Sequence, residues 1–79
     1  MNKRVILFSS SSCPWCLRVK NYLHEKGVQV KEIRVDRDSD AAKDLVRMTG
    51  QMSVPVLLIG RATVTGFDKA KIDRLLGLK

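Results

Sequence analysis

A chain of 79 residues with 44% hydrophobic side chains and only 2 Cys is expected to form one domain over residues 1–79, and it lacks the disulfide framework of small secreted domains. No apolar run reaches the roughly 7–15 residues of a secretory h-region or the roughly 20 of a membrane span, so a cytoplasmic protein with no membrane contact is expected. The formal net charge of +7 is spread along the chain with only 5% aromatic residues and no nucleic-acid reader motif, which predicts steering toward anionic partners and no specific nucleic-acid binding.

Met1-Asn2-Lys3-Arg4 is a basic start, but it is followed only by Val5, Ile6, Leu7 and Phe8 before a run of serines. Those four apolar residues suit a buried strand, with Phe8 in the core. Beyond the cysteines, Leu17, Val19, Tyr22 and Leu23 give a helical stripe read as core. Lys26-Gly27 closes that helix with a basic last turn and a glycine suited to the left-handed position. Val28, Val30, Ile33 and Val35 then predict a strand with approximate alternation.

Asp36-Arg37-Asp38-Ser39-Asp40 is a turn rich in N-cap candidates. Ala41, Ala42, Leu45, Val46 and Thr49 follow at helical spacing, and Gly50 ends the element. Residues 54–59 are the most β-like stretch, and Gly60-Arg61 turns them into residues 62–65 as a hairpin. Gly66-Phe67-Asp68 then introduces a helix carrying Ile72, Leu75 and Leu76, with Asp68 as its cap or first-turn acid. The order β-α-β-α-β-β-α predicts an α/β fold, a four-stranded mixed sheet flanked by three helices.

Cys13-Pro14-Trp15-Cys16 sits after the first strand and at the opening of the first helix. Cross-linking residues so close removes little chain entropy, so the pair is poorly explained as a staple. A helix start offers unpaired N–H groups and partial positive charge, both of which stabilise a thiolate. A free cysteine is only about 3% thiolate at pH 7, and lowering its pKa by about two units, worth about 2.7 kcal/mol, makes the thiolate dominant. Pro14 fits the first turn, where its missing N–H costs nothing. Cys13 is thus assigned the attack and Cys16 the resolution of the mixed disulfide.

A closed zinc site needs four ligands. The soft donors are Cys13, Cys16 and His24, and eight helical residues separate the last two by roughly 12 Å. No metal is therefore expected, and His24 is read as a surface residue.

Cys13-Pro14-Trp15-Cys16, Val54-Pro55 and Thr65-Gly66-Phe67-Asp68, at these spacings over essentially the whole chain, resemble a glutaredoxin-like redoxin. The small bacterial and archaeal glutaredoxin-like proteins and the redoxins serving ribonucleotide reductase are similar. The resemblance implies the thioredoxin-like (glutaredoxin) fold and a thiol–disulfide oxidoreductase, monomeric and with no bound cofactor. It implies a cis Val54-Pro55 bond whose Val54 backbone pairs with substrate, where the residues alone favour an ordinary trans proline starting a strand. Gly66, Phe67 and Asp68 would receive the γ-glutamyl end of glutathione, and Trp15, standing where the commonest motif has Tyr, would wall the groove beside Pro14. Asp68 serves equally as a plain N-cap.

Two positions depart from the family pattern. Glutathione users commonly carry Lys three residues before the first cysteine and Arg or Gln early in the second helix, where this chain has Ser10 and Ala42. Each lost charge-assisted bond weakens glutathione binding by about 1–3 kcal/mol unless Arg37 or Lys43 compensates. The expected substrates are disulfide-containing proteins and glutathione-mixed disulfides. Glutathione is the first candidate co-substrate and thioredoxin reductase the second. A further alternative is a [2Fe–2S] cluster bridged between two subunits, against which Pro14 counts.

Overall fold

The computed structural model describes residues 4–78; the basic start at residues 1–3 lies outside them. The elements are β1 (Val5–Ser9), α1 (Pro14–Glu25), β2 (Lys31–Arg34), α2 (Ser39–Thr49), β3 (Val56–Ile59), β4 (Ala62–Thr65) and α3 (Lys69–Leu76). The strands form one mixed sheet in the order β2-β1-β3-β4. β1 runs parallel to β2 and antiparallel to β3, and β3 pairs antiparallel with β4 through the hairpin at Gly60-Arg61. This is the predicted α/β architecture, the thioredoxin-like (glutaredoxin) fold. Among the described residues no helix is long and apolar enough to cross a membrane.

Alternation along the strands sends the apolar side chains to two separate layers. Val5, Leu7, Leu57, Ile59 and Val64 pack with Val19 and Leu23 of α1 and Ile72 of α3. Phe8 and Val56 pack on the opposite face with Ala41 and Leu45 of α2, and half-buried Ile6, Ile33, Val35 and Leu58 complete that layer. Because both faces of β1 and β3 are covered, their sequences read as nearly continuous apolar runs rather than alternating ones.

Each helix begins on a side-chain acceptor. The carboxylates of Asp38 and Asp68 accept the backbone N–H groups of Ala41 and Lys71 at 3.1 and 3.2 Å, caps worth about 1 kcal/mol each. In α1 the same place is taken by the sulfur of Cys13. At the other end of α2, Gly50 adopts φ 80° and its N–H reaches the Val46 carbonyl, a conformation that costs other L-residues about 1–2 kcal/mol.

Three expectations change. Leu17 is 58% exposed: the buried stripe of α1 is Cys16, Val19 and Leu23, whose steps of three and four track one helix face, and Leu17 falls off it. Val28 and Val30 lie before β2 in irregular backbone, although both pack against the α1/α3 layer. Four residues are thus enough for β2, which lies at the edge of the sheet and carries exposed Lys31 and Arg34 at its ends. Lastly, the β-like stretch at residues 54–59 enters the ladder only at Val56, since Pro55 has no N–H to donate.

Truncation should separate the two leucines. Leu45→Ala, at a fully buried position, is expected to cost about 2–5 kcal/mol in urea unfolding, whereas Leu17→Ala should stay within about 0.5 kcal/mol of the parent.

Candidate active site

Three segments meet at one end of the sheet. The β1–α1 loop carries Cys13, the loop before β3 carries Val54-Pro55, and the β4–α3 turn carries Gly66, Phe67 and Asp68. Cys13 has extended backbone (φ −114°, ψ 101°) and its carbonyl accepts the Leu17 N–H, so α1 starts on it. Pro14 occupies the first turn, as its fixed φ and missing N–H favour.

The sulfur of Cys13 accepts the Cys16 backbone N–H at 3.1 Å. That donor would otherwise be one of the unpaired groups of a helix start, and it favours an anionic sulfur over a neutral one. No acidic residue occupies the first turn of α1, so no like charge opposes a thiolate there. Cys13 is half-buried, whereas Cys16 is 3% exposed behind it. The two are joined in a disulfide with a Cα–Cα distance of 5.3 Å, inside the range a disulfide tolerates.

The Val54-Pro55 bond is cis, as the resemblance implied. Val56 pairs with Thr65 across the hairpin, and one step further out the Gly66 N–H donates to the Pro55 carbonyl at 2.9 Å. Gly66 makes this turn at φ 73°, and a Cβ there would meet nothing within 4 Å, so glycine is required by conformation rather than by space. Phe67 closes the ring of segments, with its centroid 6.4 Å from that of Trp15. Trp15 is 54% exposed, an apolar wall open to solvent. Asp68 acts as the cap of α3.

Some functional neighbours were not anticipated. Arg18 lies over Trp15, 4.9 Å from the ring centroid; its spacing of three along a helix was a usable signal. Tyr22, expected simply as core, touches Phe67 with centroids 5.6 Å apart and donates its hydroxyl to Asp73. Donating to that carboxylate raises the Tyr22 pKa to about 12. Two acids brace the approach to Cys13. The Asp36 carboxylate accepts the Ser11 N–H, and hydrogen bonding from Ser11, side chain first, lowers its pKa. Glu32 accepts the hydroxyl of buried Ser9 at 2.9 Å and pairs with Lys20 at 3.1 Å. The Ser9 bond is the main cause of its lowered pKa, with Lys20 adding to it and partial burial opposing it.

Among the described residues no three of His, Cys, Asp and Glu gather as metal ligands. His24 is exposed.

A cap sulfur backed by a second, buried cysteine one turn later defines a thiol–disulfide redox protein on a thioredoxin-like scaffold. The glutaredoxin family profile matches residues 5–64, and the chain belongs to the glutaredoxin family. It is 33% identical over 70 residues to a glutaredoxin-like 8.6 kDa protein in a rubredoxin operon of Clostridium pasteurianum, covering 89% of this chain and 93% of that one. Its fold is similar to NrdH-redoxin from Escherichia coli, a glutaredoxin-like protein with a thioredoxin-like activity profile (TM-score 0.81, 30% identity, 91% of this chain and 93% of the other). It is also similar to a buckwheat glutaredoxin in complex with glutathione (TM-score 0.74, 29% identity, 91% of this chain and 68% of the other).

The Glu32 bonds predict a pH dependence. A carboxyl whose folded pKa lies below the ordinary 4.5 contributes stability that is complete above that value and lost as pH falls through the folded pKa. Glu32→Gln should therefore lower the urea midpoint at pH 7 and flatten its decline below about pH 4.5 relative to the parent.

Proposed function

We propose that this chain is a dithiol oxidoreductase that reduces protein disulfides and glutathione-mixed disulfides through Cys13 and Cys16. The observation that carries the reading is the Cys16 N–H directed at the Cys13 sulfur from a helix start. Pro14, Trp15, Val54, Pro55, Gly66, Phe67 and Asp68 are assigned to substrate binding. One domain over residues 1–79, acting as a cytoplasmic monomer without a bound cofactor, completes the proposal.

Cys13 as thiolate attacks one sulfur of the substrate disulfide, forming a Cys13 mixed disulfide and releasing the other sulfur as a thiolate, which takes a proton from solvent. Cys16 then loses its proton and attacks the Cys13 sulfur, closing the Cys13–Cys16 bond and releasing the second substrate thiolate. The substrate gains two electrons and the protein loses two. A dithiol reductase or two molecules of glutathione restore them by the reverse exchange, with glutathione oxidised to its disulfide. Trp15 and Phe67 supply the apolar wall, and the Val54 backbone offers pairing to an extended substrate.

Glutathione is placed first as donor, supported by family membership and by Gly66-Phe67-Asp68 beside the cysteines. Thioredoxin reductase is a specific second reading, with a target such as ribonucleotide reductase. It is favoured by Ser10 and Ala42 in place of charged or amide residues and by the likeness to NrdH-redoxin.

NADPH-coupled assays that offer each donor separately test the order: turnover with glutathione and glutathione reductase is expected, and turnover with thioredoxin reductase alone would reverse it. Cys13→Ser should fall to background in every assay, while Cys16→Ser should still react with a glutathione-mixed disulfide through Cys13. Parental activity in Cys13→Ser would overturn the assignment of the attacking sulfur.

A further inference from the structure

Phe67 is held on the α1 side between two aromatic side chains. Trp15 and Tyr22 are seven residues apart on α1, which places them two turns apart on nearly the same face, about 10.5 Å along the axis. The Phe67 ring lies between them, 6.4 Å from one centroid and 5.6 Å from the other, tilted to both. Tilted contacts at this range are attractive and directional.

Packing alone would ask only for an apolar ring at position 22. The hydroxyl instead bonds a carboxylate on α3, joining residues 51 apart in sequence. Lys26 and Lys69 stand over the same ring at 5.6 and 5.8 Å. Tyr22 is thereby fixed from α1, from the start of α3 and from the middle of α3. A ring fixed in this way can fix its neighbour.

We propose that Tyr22 and Asp73 are positioning residues for substrate: their bond between α1 and α3 immobilises the Tyr22 ring, which holds Phe67 against Trp15 and keeps the adjoining Gly66 backbone beside Pro55. The inference rests on the reading of Trp15, Gly66 and Phe67 as the substrate wall. Neither Tyr22 nor Asp73 touches the reacting sulfurs. Their loss therefore loosens the surface that receives the disulfide and leaves the chemistry of Cys13 unchanged.

The test compares Tyr22→Phe, which keeps the ring, with Asp73→Ala and the conservative Asp73→Asn, using a glutathione-mixed disulfide and a protein disulfide as substrates. Tyr22→Phe and Asp73→Ala are expected to raise KM about fivefold, the scale of coupling passed on through packed side chains, with kcat within about twofold. Asp73→Asn, which retains an acceptor, should recover most of the KM. The pH profile of Cys13 alkylation should match the parent. Trp15 is the only tryptophan in the chain, so its emission in the reduced protein should change in Tyr22→Phe and Asp73→Ala and return toward the parent in Asp73→Asn. Unchanged KM and unchanged emission in folded variants would overturn the proposal, as would a fall in kcat with a shifted alkylation profile. A parent protein that reduces neither substrate with any donor would instead overturn the proposed function and remove the ground of this inference with it.

Discussion

The N–H groups at the start of an α-helix have no carbonyl ahead of them, and something must accept from them. In this protein α2 and α3 meet that need with aspartates, and α1 meets it with a sulfur. The substitution turns a requirement of backbone structure into a chemical device. An aspartate in that place accepts the backbone N–H and has no sulfur to offer a disulfide. A cysteine in the same place is stabilised in the form that attacks disulfides. The second cysteine then has a position set by the helix itself, because one turn later on the inner face is both close enough to bond and buried among core side chains.

The sheet brings the remaining segments to that sulfur. β1 is central, covered on both faces, and ends at Ser9 just before the loop that leads to Cys13. β3 and β4 reach the same end as an antiparallel pair, so residues far apart in sequence arrive side by side: the hairpin register at Val56 and Thr65 is what allows Gly66 to bond the Pro55 carbonyl. The loop before Cys13 is in turn held by Asp36, and the last residue of β1 by Glu32. None of these contacts performs chemistry. Together they limit how the three segments can move relative to one another.

Much of this was legible in the sequence because it depends on local chemistry. Helix ends were marked by Asp38, Asp68, Gly27 and Gly50, and the hairpin by Gly60, since these residues satisfy short-range conformational demands. Cys13 and Cys16 were assigned from their position between a strand and a helix. What could not be read depended on which helix face meets the sheet, or on partners supplied by distant elements. Leu17 is apolar but falls off the buried face. Val28 and Val30 are β-branched and cover the core without joining the ladder. The body of Tyr22 could be placed, but nothing near it in sequence identifies Asp73 as the acceptor of its hydroxyl. The cis bond at Pro55 came from resemblance and not from the residues, which favoured trans because few X–Pro bonds are cis.

The margin of the sheet has a consequence of its own. An outer strand offers unpaired N–H and C=O groups to any extended chain that drifts alongside, and this is the usual route to fibrils and other strand-by-strand growth. β2 is such a strand, but it is short and carries a cation at either end, Lys31 and Arg34. A second copy aligning there would bring like charges together across a ladder only four residues long. Stacking into larger sheets along this strand is thereby opposed.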